Sequence, residues 1–339
     1  MRELIKYFHK KNLLDVPDAR KHHANPTPSS GGIVFIVPLL IGGAYMSEHL
    51  LVVLSAIVFL VVGFIDDRRD LSSKIKFLVQ FAIAALAVSQ YGSFPFFEEG
   101  LFFPEWLATF ASIVLVVGII NAFNLIDGSD GLAGTYALIA FVVFTILFYT
   151  SSQFGLAYFA GSMAIGLFVF LQFNLNPAKI FMGDAGSLCL GYLLSILGLQ
   201  LTHITPTNGI EFEAIVIPLL LVPAMDTIRV MLWRIIQGKK PFDADRTHIH
   251  HILSQLKISP ISIANIFGVL SVSILFLAIV LSTQGFGNLP VILITSAVTV
   301  LMLSAAVYSL QIRRKIILKK KMDKMHQIES TNNLLKQQS

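Results

Sequence analysis

Charge is what this sequence has least of. Asp, Glu, Lys and Arg make up 13% of its 339 residues, about half the share usual in a soluble domain, while 55% are hydrophobic. One soluble core would need polar faces on its helices, and the long apolar runs here have almost none. Cysteine is nearly absent as well. Cys189 stands alone, which excludes a disulfide framework and a cysteine-based metal site. No repeat of fixed period and no low-complexity domain occurs. The opening MRELIKYFHKK is basic and amphipathic and lacks the apolar centre of a signal peptide.

What is present is apolar and long. Ten stretches are transmembrane candidates, at about 32–47, 50–65, 77–91, 107–123, 132–150, 154–173, 187–203, 213–231, 262–283 and 289–310. The expected fold is an all-α polytopic integral membrane protein with about ten transmembrane helices. It would have one transmembrane catalytic domain over 1–311 and a basic to polar tail over 312–339, the tail lying against anionic headgroups. Threading ten spans puts all 25 Lys and Arg in one set of alternate loops. The opposite loops hold none, but carry Glu48, Glu98, Glu99, Glu105, Glu211 and Glu213. Lys and Arg mark the cytoplasmic side, so both termini are expected there. The outward loop YGSFPFFEEGLFFPEW (91–106) reads as an aromatic anchor at the bilayer surface. The net charge of +5 suits anionic lipid and anionic substrates, and nucleic acid is not expected as a partner.

The inward loops are rich in Asp, Asn, His, Gly and Pro, which is poor material for connectors. Asp66 and Asp67 end the second span; adjacent acids can share a divalent cation, or one can serve as a base, unless Arg68 and Arg69 simply neutralise a turn. In AFNLIDGSDGLAG (122–134), Asn124, Asp127 and Asp130 recur every three residues, so a helix would align them. Their hard oxygens suit Mg²⁺, and Gly128 and Gly131 permit tight turns or close approach of a ligand. In FMGDAGS (181–187), Asp184 is a lone acid before a span, and Ser187 reads as a helix cap. In DRTHIHH (245–251), Arg246, His248, His250 and His251 can donate to phosphate oxygens, whereas their spacing fits no closed zinc site. Asp226 and Arg229 read as a local ion pair, and HHANPTPSSGG (22–32) as a structural lead-in, with Lys21 or His23 able to face a phosphate. If the helices bundle, these clusters meet as a carboxylate-rich divalent-metal site at the inner membrane surface. Such a site suits a phosphate-bearing soluble substrate meeting a lipid one.

Taken in order, FIDD…LSSKIKF, NLIDGSDGLAG, FMGDAGS and DRTHIHH resemble the polyprenyl-phosphate N-acetylhexosamine-1-phosphate transferases (glycosyltransferase family 4) over about residues 13–255. The DRTHIHH form is similar to the WecA/TagO-like branch, related to MraY. The resemblance implies transfer of an N-acetylhexosamine-1-phosphate, expected to be GlcNAc-1-phosphate, from a UDP-sugar to undecaprenyl phosphate. UMP would be released, and a lipid-linked cell-envelope glycan initiated, at the bacterial inner membrane with the site facing the cytoplasm. Mg²⁺ is the implied cofactor, with Mn²⁺ as an alternative, and Asp184 its implied ligand. Asp66 and Asp67 would engage the lipid phosphate, one of them deprotonating it or attacking the pyrophosphate itself. Asp127 and Asp130 would belong to the nucleotide and catalytic strip, and His248, His250 and His251 to the phosphates. Lys76, Asn124, Asn174 and Arg246 would bind substrate. The family carries a further span before the loop containing DVPDARKHH, and here the chain starts almost at that loop. Membrane lipid is an expected partner, and a homodimer is left open.

Two other classes compete on the residues alone. One is another intramembrane Mg²⁺ enzyme, such as a UbiA-like prenyltransferase, which also places Asn/Asp motifs at helix ends but has no need of a histidine cluster. The other is a transporter, whose acids would lie near the bilayer midplane rather than at one face.

Overall fold

Each of the ten apolar stretches becomes helical, because a backbone in hydrocarbon must satisfy its own polar groups. The computed structural model describes residues 1–15, 26–175, 177–206, 211–240, 248–310 and 312. An amphipathic helix, α1 (Arg2–Lys10), comes first and buries Phe8. A minimal antiparallel pair, β1 (Leu14–Asp15) with β2 (Thr27–Pro28), forms the only strands among the described residues. A 3-10 turn at Gly31–Phe35 leads into α2 (Ile36–Gly43). Then come α3 (Leu50–Arg69), α4 (Ser73–Tyr91), α5 (Glu105–Ile126), α6 (Leu132–Thr150) and α7 (Phe154–Asn174). The last five are α8 (Gly183–Thr202), α9 (Phe212–Ile236), α10 (Ile249–Gln255), α11 (Pro260–Thr283) and α12 (Asn288–Leu310).

Eight of these helices are long and apolar enough to cross a membrane: α3, α5, α6, α7, α8, α9, α11 and α12. The protein is an all-α, multi-pass membrane protein; eight of the expected ten stretches meet this length and composition among the described residues, and the other two, in the Gly31–Gly43 segment and α4, are helical. The apolar helix over Gly31–Gly43 rises only about 20 Å, against a hydrocarbon core of about 30 Å. In α4, Lys74, Lys76 and Gln80 dilute the apolar character of the first half. The tail expected over 312–339 lies, beyond Ile312, outside the described residues.

One helix sits inside the others. Every residue of α8 from Ala185 to Leu201 is buried, whereas α12 leaves most of its surface to the surroundings. A helix enclosed by protein does not need an apolar outer face, and α8 has the lowest hydropathy of the eight. It packs against α3, α5, α6 and α9. Small residues let the backbones close in, as they do between membrane helices generally. A Cβ on Gly63 of α3 would lie 2.4 Å from the Asp184 carbonyl oxygen, and one on Gly32 would lie 2.1 Å from the Gly186 Cα. These approaches draw the first turn of α8 against α3 and against the 3-10 turn before α2, on the face of the bundle that bears the lysines and arginines.

The outward loop 91–106 departs from a simple surface anchor. Phe102 and Trp106 are exposed, as an interfacial segment requires, but Phe94 is fully buried. Its backbone N–H donates to Ser112 Oγ at 2.9 Å, and the Phe96 N–H donates to Glu213 Oε1 at 2.7 Å. The loop is therefore tied back onto α5 and α9.

Candidate active site

The start of α8 presents backbone N–H groups with no partner inside the helix. Two carboxylates from other helices take them. Asp67, near the end of α3, accepts from the Asp184 N–H at 2.8 Å and the Ala185 N–H at 3.4 Å. Asp127, at the end of α5, accepts from the Gly183 N–H. Gly183 sits at φ +70°, and a Cβ there would meet Asp67 Oδ2 at 2.6 Å, so the turn requires glycine. A helix N-terminus favours anions, which explains why α8 begins among acids.

Asp184 is the hub of this arrangement. Asn124 Nδ2 donates to its Oδ1 at 3.0 Å and to Ser187 Oγ at 2.8 Å. Lys76 Nζ donates to its Oδ2 at 3.2 Å and to Asp66 Oδ2 at 2.7 Å. Asp66 uses its other oxygen to accept from the Leu71 N–H at 2.7 Å, which closes the turn between α3 and α4. Three helices thus hold one carboxylate: α3 through its backbone N–H, α4 and α5 through its oxygens. Ser187, read from sequence as a helix cap, is instead the buried partner of Asn124; Met182 occupies the cap position.

Asp66, Asp67, Asp127, Asp130 and Asp184 lie within electrostatic reach of one another, and Lys76 is the one ammonium bridging them among the described residues. Burial first, then the Asp184 and Asp67 carboxylates, push the Asp127 carboxyl well above the usual carboxylate range.

The glycines of the 122–134 stretch now have specific work. A Cβ on Gly128 would lie 2.7 Å from His250 Nε2, so the absence of a side chain there lets the histidine motif close over the acidic loop. Gly131 takes φ +76°, and its N–H donates to Asn174 Oδ1 at 2.9 Å. Asn174 is buried, and its Nδ2 donates in turn to the Ile180 carbonyl at 2.9 Å. Asp130 accepts from the Ala178 N–H at 3.2 Å. Asn174 and Asp130 therefore pin the 175–182 loop to the acidic loop, which positions Asp184 from behind.

The histidines are organised by α9. Asp226 is fully buried, and Arg229 donates to its Oδ1 through Nε at 3.0 Å and Nη2 at 2.7 Å. Its Oδ2 lies 3.0 Å from His248 Nδ1 and accepts from the Ile249 N–H at 3.2 Å. The Asp226–Arg229 pair read as local from sequence is thus also the anchor of His248 and of the first turn of α10. That role is invisible in one sequence because 22 residues separate the partners. The rings of His248 and His250 stack at 5.9 Å, and those of His250 and His251 lie 4.2 Å apart. Arg246, Lys21 and His23 lie outside the described residues.

Residues 49–202 match glycosyl transferase family 4. A probable undecaprenyl-phosphate N-acetylglucosaminyl 1-phosphate transferase of Bacillus subtilis (strain 168) is 34% identical over 263 residues, spanning 74% of this chain and 72% of the relative. The chain belongs to glycosyl transferase family 4. Undecaprenyl-phosphate alpha-N-acetylglucosaminyl 1-phosphate transferases of Yersinia pestis and Escherichia coli (strain K12) are 33% and 30% identical, each match spanning 72% of this chain and 70% of the relative. The family match ends at the last residue of α8, so it holds the acidic cluster; the histidine motif lies beyond it.

Proposed function

We propose that this family-4 protein transfers N-acetylglucosamine-1-phosphate from UDP-N-acetylglucosamine to undecaprenyl phosphate, releasing UMP, at the cytoplasmic face of a bacterial inner membrane. The observation that carries the reading is Asp184, held from three helices among more acids than one lysine can neutralise. The relatives' names supply the acceptor and the sugar. The one-sided Lys/Arg distribution favours the cytoplasmic face, where nucleotide sugars occur.

A divalent cation fits this donor set. Among the described residues no three His, Cys, Asp or Glu side chains form a ready-made metal cage. Mg²⁺ does not need one, since it binds through one or two carboxylates and completes its shell with water and substrate phosphates. Asp184 and Asp127 are the residues that would hold it. When bound, it neutralises the diphosphate and the departing UMP.

The reaction joins two anions, so their repulsion is the first obstacle. In the step, a phosphate oxygen of the acceptor forms a bond to the sugar-bearing phosphorus of the donor. The bond from that phosphorus to the bridging oxygen breaks, and the electron pair leaves with UMP. Phosphoryl transfer asks for positioning and charge neutralisation rather than covalent help. Lys76 supplies a positive charge beside Asp66 and Asp184. Asp67 and Asp127 fix the start of α8, so Asp184 is pre-aimed. Of the adjacent pair, Asp66 accepts one backbone N–H and Asp67 two, so Asp66 is the freer of the pair to take any acceptor proton. His248, locked by Asp226, and His250, seated on Gly128, donate to phosphate oxygens of the donor.

The test is transfer from a panel of labelled UDP-sugars to undecaprenyl phosphate by the purified protein. UDP-N-acetylglucosamine is expected to give a lipid-linked sugar diphosphate and one UMP per product. No product from any UDP-N-acetylhexosamine would end the proposal. A prenyltransferase is not favoured, because it leaves the Asp226–His248 anchor without a purpose.

A further inference from the structure

Two arginines, the buried Arg229 and the half-buried Arg68, enclose the same Nε–Nη2 edge, and only one of the two edges is filled. In Arg229, Nε and Nη2 both donate to Asp226. In Arg68, Nε and Nη2 are buried and make no hydrogen bond among the described residues. The Arg68 guanidinium instead lies between two rings, 4.6 Å from the Phe64 centroid and 5.9 Å from that of Phe8. Phe64 stands one helical turn earlier on α3, so the spacing alone stacks it under the guanidinium. Phe8 comes from α1, whose polar outer face and buried phenylalanine suit a helix lying on the inner membrane surface. Rings attract a guanidinium but accept no in-plane N–H, so the fork is desolvated without an acceptor.

Arg68 directly follows Asp66 and Asp67 in the chain, at the inner end of a membrane span. An edge with two parallel N–H groups matches two oxygens of a phosphate, and a stacked guanidinium is already oriented for it. We propose that Arg68 is a phosphate-binding residue at the membrane surface, held ready by Phe64 and covered by Phe8 until a lipid phosphate displaces that ring. The proposal takes the acceptor chemistry from the function proposed above. The shared chemistry is a lipid phosphate, which the acceptor or an anionic phospholipid can supply.

The test uses the full chain in detergent, comparing wild type with Arg68→Met, which keeps the apolar stem between the rings, and Arg68→Lys. Polyprenyl phosphate is titrated at saturating UDP-N-acetylglucosamine, and phosphatidylglycerol is titrated separately. Arg68→Met is expected to raise the acceptor KM about tenfold or more, with kcat and the donor KM unchanged, and Arg68→Lys to recover only part of the loss. An unchanged acceptor KM with lost activation by phosphatidylglycerol would make the phospholipid headgroup the occupant and still support a phosphate site. Thermal shift by polyprenyl phosphate alone, without donor, separates this idea from the transferase reading. If wild type transfers no sugar yet is stabilised by polyprenyl phosphate, and Arg68→Met is not, the phosphate site stands without the transferase. If Arg68→Met melts like wild type and neither phosphate titration distinguishes the two, Arg68 has only a packing role.

Discussion

Buried acids occur at both faces of this bundle, and they are handled differently. At the face opposite the lysines and arginines, Glu213 is 3% exposed and stands with two donors, the Phe96 N–H at 2.7 Å and Asn288 Nδ2 at 3.0 Å. It ties the 91–106 loop, α9 and α12 together, as a structural acid does. At the other face, Asp66, Asp67, Asp127 and Asp184 gather around Lys76 as the one bridging ammonium among the described residues, and their other donors are backbone N–H groups and one asparagine. A stability element would have no use for that excess, because gathering like charges in a low-dielectric setting is costly. The surplus suits the cation and the substrate of the function proposed above.

That contrast can be broken by mutation, and the largest effect is expected at the hub. Asp184→Asn should lower transfer by on the order of 10³-fold or more, with the melting temperature in detergent nearly unchanged, since both residues accept at Oδ1 from Asn124. Asp226→Asn should cost about 10–100-fold in rate, as loss of an orienting partner does, and should shift the His248 ring signals in NMR. Gly128→Ala should cost about tenfold, because the new Cβ would force His250 away from the acidic loop, the position being 2.7 Å from Nε2. Glu213→Gln should leave kcat and both KM values as they are while lowering stability by about 1–2 kcal/mol, seen as an earlier melt. A further measurement sharpens the comparison without mutation. Asp127 holds its proton above the usual carboxylate range through burial and its acidic neighbours, so metal binding should displace that proton. Divalent affinity should then rise as pH rises, and calorimetry in buffers of different ionisation enthalpy should detect the released proton.

Much of this was legible in the sequence, for physical reasons. Runs such as 154–173 admit no structure in lipid other than a helix, so fold class followed from composition. The acids stood out because charge is so scarce. Their partners did not. Asn174 carried no mark separating a substrate contact from a loop pin; only the Gly131 and Ile180 backbones meeting its amide reveal the second role. Ser187 sat where a cap is plausible, and the hydroxyl's true partner is 63 residues away. Hydropathy marked the Gly31–Gly43 stretch as apolar, and the structure shows how short its helix is. In AFNLIDGSDGLAG, Asp127 serves the α8 N-terminus, Asp130 pins the 175–182 loop, and Gly128 makes room for the histidines.

The most direct measurement is Mn²⁺ binding by electron paramagnetic resonance in the presence of UDP-N-acetylglucosamine, comparing wild type, Asp184→Asn and Glu213→Gln. One Mn²⁺ per chain is expected in wild type and Glu213→Gln, and loss of that site in Asp184→Asn. Undiminished Mn²⁺ binding by Asp184→Asn would contradict the assignment of the basic-face carboxylates as the cation site.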